Sequence, residues 1–329
     1  MLADTLGRQM LFCTVRITNT SPAGVSTGTG FFFDAGVGDD DPHVFAPLVI
    51  TNKHVVEGAT DLKFGMLHSN ADGTGSILGN RTDVHMSVDR NSPPWVGHPD
   101  PEVDVVALMG TPLYAALRNI GIEAFTRVLG ADLFPTPEVE KDIDAIEELT
   151  FVGYPNGQAD DFHHTPIVRR AITATPLALP FGGKPTFLLD GSVFGGSSGS
   201  PVFVYDKFGY ASGDSFLLSP RLLLVGIVSA TMLRPEVFEL QVNSAPHVQI
   251  ARNLNLGIAY SWKSIDETVE FFCATHGIAR RPHGGSSHGP ASVPDTPSKI
   301  VSSAVAFSPA SGVMGGRHRL LGLCLSKYF

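Results

Sequence analysis

The chain alternates short apolar runs with clusters of Gly, Pro, Asn and Asp. Runs of four to eight residues bounded this way read as strands. In the first half they fall at 12–18, 30–33, 44–51 and 104–108. In the second they fall at 149–153, 167–173, 186–189, 201–205, 222–229 and 256–260. Strands at this spacing, without helices between them, predict an all-β barrel or sandwich. Helical signals are few. A short helix is expected at 4–10, and an acidic one at 138–148 after Pro135 and Pro137. The clearest lies at 264–273, where Ser264 and Glu267 have capping-box spacing and Ile265, Val269 and Phe272 share one face. That face is suited to closing the last barrel.

From residue 276 to about 319 the chain is rich in Gly, Ser, Pro and Ala and loses its periodicity, so a flexible tail is expected over 276–329. Hydrophobic residues make up 43% of the chain and charged residues 17%, enough apolar material for large cores. The formal net charge of −9 argues against nucleic-acid binding. The tail departs from this balance: Arg280, Arg281, Lys299, Arg317, Arg319 and Lys327 face Asp295 alone, a pattern suited to a solvated tail. Cys13, Cys273 and Cys324 form no Cys-x-x-Cys and no even set, which fits a reducing compartment better than a disulfide framework. The start, with no basic segment before an apolar run, does not read as a signal peptide. The apolar run 222–228 is broken by Gly226 and too short to span a bilayer. A cytoplasmic protein with no membrane association is therefore expected.

The segment Gly195-Gly196-Ser197-Ser198-Gly199-Ser200-Pro201 sits between two apolar runs. A serine hydroxyl becomes a nucleophile only beside a base. It also needs a turn that aims backbone N–H groups at a developing oxyanion. Glycines permit such a turn, and Gly196 and Ser198 are placed to supply the two N–H donors. Alone, Gly-x-Ser-Gly is equally what an ordinary Gly/Ser loop looks like.

Residues 196–201 resemble the Gly-x-Ser-Gly-Gly-Pro box of trypsin-like and high-temperature-requirement-type serine proteases, with Ser200 in place of a glycine. Asp190 resembles the aspartate that opens this segment in bacterial members. Thr51-Asn52-Lys53-His54-Val55 resembles their Thr-Ala-Ala-His-Val, with Asn52 and Lys53 replacing the alanines. Gly28-Thr29-Gly30-Phe31 resembles their Gly-Ser-Gly-Phe strand, and Asp104-Val105-Val106-Ala107-Leu108 their Asp-Ile-Ala-Leu. A lone His54 is more simply a core or surface histidine, and a lone Asp104 a solubilising charge at a strand edge. In the order His54, Asp104, Ser198 the three follow the chymotrypsin-like arrangement and not the subtilisin or α/β-hydrolase one.

The resemblance covers about 28–260 and implies two six-stranded antiparallel β-barrels followed by a C-terminal helix. It divides the chain into 1–117, a first barrel carrying His54 and Asp104; 118–148, a linker; 149–275, a second barrel carrying Ser198; and the tail 276–329. Peptide substrate would pair along 226–231, with Ser229, Ala230 and Thr231 in contact and Ser229 near Asp104. Ser192 would floor the pocket for the residue before the cut, with Val193 beside it and Thr231 and Gly257 as walls. No acid lies at that floor, which points to a small or medium apolar side chain instead of Lys or Arg. Ser197 replaces the aspartate that receives a new N-terminus in digestive zymogens, so no such processing is expected. The implied activity is peptide hydrolysis on peptide or protein substrates, with no metal and no cofactor. The oligomeric state stays open. A silent peptide-binding module and an esterase with the same three residues are the alternatives. His163-His164, beside Asp160 and Asp161, reads as a polar loop ahead of a metal site. His85, His98, His247 and His288 show no ligand spacing.

Overall fold

Alternation of apolar and polar side chains builds the first sheet, as in the strand at Asp61–Ser69, where Leu62, Phe64 and Met66 turn inward at every second position. The computed structural model describes residues 1–36, 46–213, 215–239 and 247–280. After a short helix α1 (Leu6–Met10) come β1 (Thr14–Ser21), β2 (Gly24–Asp34), β3 (Pro47–Thr51), β4 (Asp61–Ser69), β5 (Ser76–Ser87), β6 (Trp95–Gly97) and β7 (Val106–Met109). They form one antiparallel sheet in the order β5-β4-β1-β2-β3-β7-β6. The pairing thus gives seven strands with β5 and β6 at the edges, where a six-stranded barrel was expected. A single turn of helix, α2 (Lys53–Val56), follows β3, and α3 (Thr111–Arg118) follows β7.

The C-terminal half closes as expected. There β8 (Glu148–Gly153), β9 (Ile167–Thr173), β10 (Thr186–Asp190), β11 (Pro201–Asp206), β14 (Arg221–Glu239) and β15 (His247–Ser261) form a six-stranded barrel, with β12 (Tyr210–Ser212) and β13 (Ser215–Leu217) as a separate pair. The acidic helix expected at 138–148 is shorter, α4 (Pro137–Asp142). Glu148 is already paired with Ile172 as the start of β8, so the sheet takes residues that propensity alone assigns to a helix.

Helix α5 (Trp262–Thr275) carries the apolar face read from the sequence: Ile265, Val269 and Phe272 are buried. Its start differs from expectation. Ser261 holds the N-cap position, and Ser264 lies inside the helix, fully buried. Glu267 reaches away to the ring of His98 at 2.8 Å, so no capping box forms. Those three α5 residues join Phe31, Phe33 and Ile50 of the first sheet and Phe203, Leu224 and Ile227 of the barrel in one apolar cluster. The two halves therefore bury a shared core. Of the tail expected over 276–329, residues 281–329 lie outside the described residues. Residues 276–280 stay on the body, with Ile278 against the shared core and Arg280 bonded to Asp266 at 2.5 Å.

Candidate active site

His54 is carried by α2. Val55, next to it, packs so closely on β2 that a Cβ at Gly28 would lie 2.5 Å from its Cγ1. The Asn19 amide donates to the carbonyls of Val55 and Glu57, both at 3.0 Å, and so ties down the helix end. Asn52, one of the two departures from the family's alanines, is buried and donates to the backbone carbonyl of Asp104 at 2.7 Å. It links the histidine segment directly to the aspartate segment.

The Asp104 carboxylate is a hub. Its Oδ2 meets His54 Nδ1 at 2.6 Å and accepts from the Ser229 hydroxyl at 2.8 Å, while its Oδ1 accepts the His54 backbone N–H at 3.0 Å. Burial pushes this carboxyl up, but the bonds from the His54 ring, the His54 backbone and Ser229 outweigh burial and hold it below its ordinary value. The carboxylate is thereby kept as an anion that accepts from Nδ1, which leaves His54 Nε2 without a protein partner among the described residues.

Ser198 lies half-buried at the mouth of the loop before β11. Its hydroxyl donates to the backbone carbonyl of Ser229 at 2.8 Å. Among the described residues no hydrogen bond joins it to the His54 ring. The chain of contacts runs from Ser198 through Ser229 to Asp104 and on to His54, so the three residues singled out in sequence share one site.

Two glycines shape the loop around Ser198. Gly196 has φ +82, and a Cβ there would lie 2.5 Å from the Tyr154 carbonyl. Gly199 has φ +88, and a Cβ there would overlap the Thr29 carbonyl. Positive φ and these close approaches both require glycine. The backbone N–H groups of Gly196 and Ser198 have no protein acceptor among the described residues.

Sequence inspection gave Thr29 only a place in the strand behind the site, yet it is the main anchor of the loop. It is fully buried on β2. Its N–H donates to the Ser198 carbonyl at 2.9 Å, and its hydroxyl donates to the Gly196 carbonyl at 2.8 Å while accepting the Tyr154 N–H at 3.0 Å. Asn156, in the left-handed region at φ 52, adds an N–H to the Gly195 carbonyl. Ser200, the replacement for a family glycine, is buried, and its hydroxyl has no partner among the described residues.

The residues expected to form the pocket also meet. Thr231 donates from its hydroxyl to the Val193 carbonyl at 2.7 Å. Gly257 pairs with Thr231 on one side and Leu189 on the other. The buried Val193 side chain fills the space above Gly257, where a Cβ would lie 2.5 Å from Val193 Cγ2. Ser192 sits at the edge, half-exposed and 3.5 Å from the Asn255 side-chain oxygen. Ala230 is exposed on β14 next to Ser229.

Several other histidines among the described residues are engaged elsewhere. His163 pairs with Asp160 at 2.7 Å and His85 with Asp61 at 2.9 Å. His288 and the side chain of His247 lie outside the described residues. Among the described residues no group of three or more His, Cys, Asp and Glu is placed to hold a metal ion. Cys13 and Cys273 are both buried and free, and burial pushes the Cys13 thiol up. No helix among the described residues is long and apolar enough to cross a membrane.

A β-barrel and a facing sheet with a serine, a histidine and an aspartate at their junction define the class of trypsin-like folds. Residues 28–208, more than half of the chain, match the family of trypsin-like peptidase domains, and the protein belongs to that family. Similar solved structures include a serine endoprotease from Yersinia pestis, at 14% identity and TM-score 0.43 over 81% of this chain and 65% of that one. The HtrA-type protease AlgW with a tripeptide shows 15% identity and TM-score 0.44 over 82% and 63%. A protease from M. tuberculosis in its active form shows 14% and 0.40 over 89% and 88%. The chain thus spans less than two thirds of the length of the first two. No curated protein matches its sequence.

Proposed function

We propose that this protein is a serine endopeptidase that cleaves peptide or protein substrates through an acyl-enzyme, with Ser198 as nucleophile. The observation that carries the proposal is the Asp104 carboxylate, which receives the His54 ring and the Ser229 hydroxyl while the Ser229 carbonyl receives Ser198. In the reaction the Ser198 hydroxyl turns from Ser229 to the unpartnered His54 Nε2, which takes its proton as Ser198 Oγ attacks the peptide carbonyl. Asp104 fixes the ring and stabilises its charged form. The unpartnered N–H groups of Gly196 and Ser198 receive the oxyanion. His54 then gives its proton to the leaving amine, and water releases the acyl group through the same base.

In this proposal, 1–117 supplies the base and its carboxylate, 149–275 supplies the nucleophile, and 118–148 connects them. Thr29, which bonds the Ser198 loop from the first sheet, supports that division of labour. The pocket formed by Ser192, Val193, Thr231 and Gly257 takes a small or medium apolar side chain, because Val193 occupies its depth and its expected floor is a serine and not an acid.

The test is fluorophosphonate labelling together with cleavage of a peptide library, wild type beside Ser198→Ala. Labelling and cleavage that vanish in the variant support the proposal. Cleavage retained in the variant overturns it, and a wild type that is never labelled identifies a peptide-binding module instead. Cuts mainly after Arg or Lys refute the pocket assignment alone.

A further inference from the structure

The hairpin of β12 and β13 follows the end of β11 that is remote from Ser198. Strand β11 leaves the Ser198 loop at Pro201 and ends at Asp206, roughly 20 Å along at about 3.3 Å per residue. The apolar side chains of the hairpin and its flanks lie in the open: Phe208 is 79% exposed, Phe216 64%, Leu217 41% and Leu218 86%. A single exposed apolar residue needs no explanation, but a cluster marks a surface that another group covers. The hairpin is braced. The Tyr210 ring lies 4.4 Å from the Arg221 guanidinium, which bonds Asp206 at 2.7 Å. At the other end the Ser212 hydroxyl donates to Asp142 Oδ2 on α4 at 2.6 Å.

Acidic groups accompany this apolar surface. Residues 137–148 and 206–221 together carry eight Asp and Glu against Lys141, Lys207 and Arg221. Glu140, Glu147 and Glu148 form salt bridges with Lys263, Arg221 and Arg170. Glu138, Asp142 and Asp144 are exposed and have no salt bridge among the described residues. A surface both apolar and acidic repels anionic lipid and a second copy of itself, and it favours a segment that is apolar and basic. Residues 317–329 have that character: Arg317, Arg319 and Lys327 occur with no acid, among Leu320, Leu321, Leu323, Leu325 and Phe329. The described chain also ends close by. Arg280 bonds Asp266 on α5, about one helical turn from Trp262 and Lys263, which both bond Glu140 on α4. The 36 residues 281–316 can reach at most about 120 Å, ample to bring 317–329 to the hairpin.

We propose that residues 317–329 dock on this surface of their own molecule. Their leucines cover Phe208, Phe216 and Leu218, and their cations face Glu138, Asp142 and Asp144. A tethered segment binds as an intramolecular partner, so contacts too weak to hold a free peptide suffice. In place of the solvated tail expected from the sequence, the chain folds back onto its second barrel. The docking surface lies away from Ser198, so the proposal stands or falls independently of what Ser198 does.

The test uses the full chain carrying Ser198→Ala, so that no peptidase activity of its own trims the tail. Trace trypsin is added, and cleavage after Arg317 is followed by mass spectrometry. The reference protein is expected to be cut there at least tenfold more slowly than the same protein with Phe216→Ser and Leu218→Ser, or with Leu323→Ser and Leu325→Ser. The second pair alters nothing in the described body, so a folding defect in the first leaves the test intact. Cys324 supplies another readout, because Cys13 and Cys273 are buried. With copper phenanthroline as oxidant, Leu218→Cys should form an intramolecular disulfide with Cys324 at least tenfold faster than Val25→Cys, which is also exposed but lies on the first sheet. Equal trypsin rates in all three proteins, or equal disulfide rates, overturn the proposal. Disulfide-linked dimers in place of monomers assign the surface to a second copy's tail. Pelleting with phosphatidylserine vesicles that is lost in the Phe216→Ser, Leu218→Ser protein assigns it to a membrane. Either result also overturns docking within one molecule.

Discussion

Replacing Thr29 by valine isolates the contribution of one hydroxyl. Valine keeps the branched shape and suits a strand, and the backbone bond from residue 29 to the Ser198 carbonyl does not involve the side chain. What disappears is the donor to the Gly196 carbonyl at 2.8 Å and the acceptor of the Tyr154 N–H at 3.0 Å. Thr29 is fully buried, so water does not replace it. Each stranded buried group costs about 1–3 kcal/mol, so the two together cost about 2–6 kcal/mol. At about 1.5–2 °C per kcal/mol for a protein of this size, Tm falls by roughly 3–12 °C. The Gly196 carbonyl belongs to the loop that carries the proposed oxyanion donors, so its release also loosens Ser198. A misplacement of about 1 Å costs on the order of 100-fold in rate, and fluorophosphonate labelling of Ser198 in the folded variant should slow toward that limit. Thr29→Ser restores the hydroxyl and should recover most of both losses. A valine variant that melts and is labelled like wild type, or a serine variant no better than valine, would refute the anchoring role.

Ser229→Ala removes one of the donors to Asp104 Oδ2 but leaves the carbonyl beside Ser198. A bond to a charged group contributes about 1.5–3 kcal/mol, so kcat/KM on a cleaved peptide should drop about 10- to 100-fold with little change in KM. Gly257→Ala places a methyl 2.5 Å from Val193 Cγ2 and 2.9 Å from Leu189. Overpacking of this kind costs about 1–3 kcal/mol, and library profiling should show the residue before the cut becoming smaller. Asp104 binds its proton less readily in the folded protein than its ordinary value of 3.8 implies. Its contribution to stability is thus fully present above about pH 4 and is lost as pH falls through the lower folded value. Unfolding curves of wild type against Asp104→Asn should separate above pH 4 and converge in stronger acid.

Much of this was legible because the barrel strands are short, apolar and punctuated. The stretch 167–173 was read from sequence with the bounds that β9 has. The strands that escaped notice are of two kinds. In β4, Leu62, Phe64 and Met66 do alternate, but Lys63 and Gly65 dilute a signal that a stricter period-two count detects. β5 is mostly polar and half-exposed along its length, and it is held as a strand by its neighbour β4 more than by its own sequence. The long extension of β14 and β15 past Thr231 was invisible because Arg234, Pro235 and Glu236 interrupt the apolar run. At the candidate site, the proposed triad of His54, Asp104 and Ser198 could be picked out because the chemistry it would perform restricts residue type. Thr29, Asn19 and Asn52 act through backbone carbonyls far away in sequence, and such partners leave no local pattern.

Gly153 records a constraint on how this sequence can change over time. A side chain there would overlap the Ser200 hydroxyl and lie 2.7 Å from Thr29 Oγ1. Serine at 200 and threonine at 29 therefore hold position 153 at glycine without bonding to it. A lineage that replaced Ser200 by glycine would relax only half of that restriction. Alanine at 153 becomes tolerable after the serine is gone and residue 29 has given way, and an ancestor that acquired the alanine first would have had to pass through a clash. The order of substitutions is thus written into three positions beside the proposed nucleophile, and related sequences should show residues 29, 153 and 200 varying together.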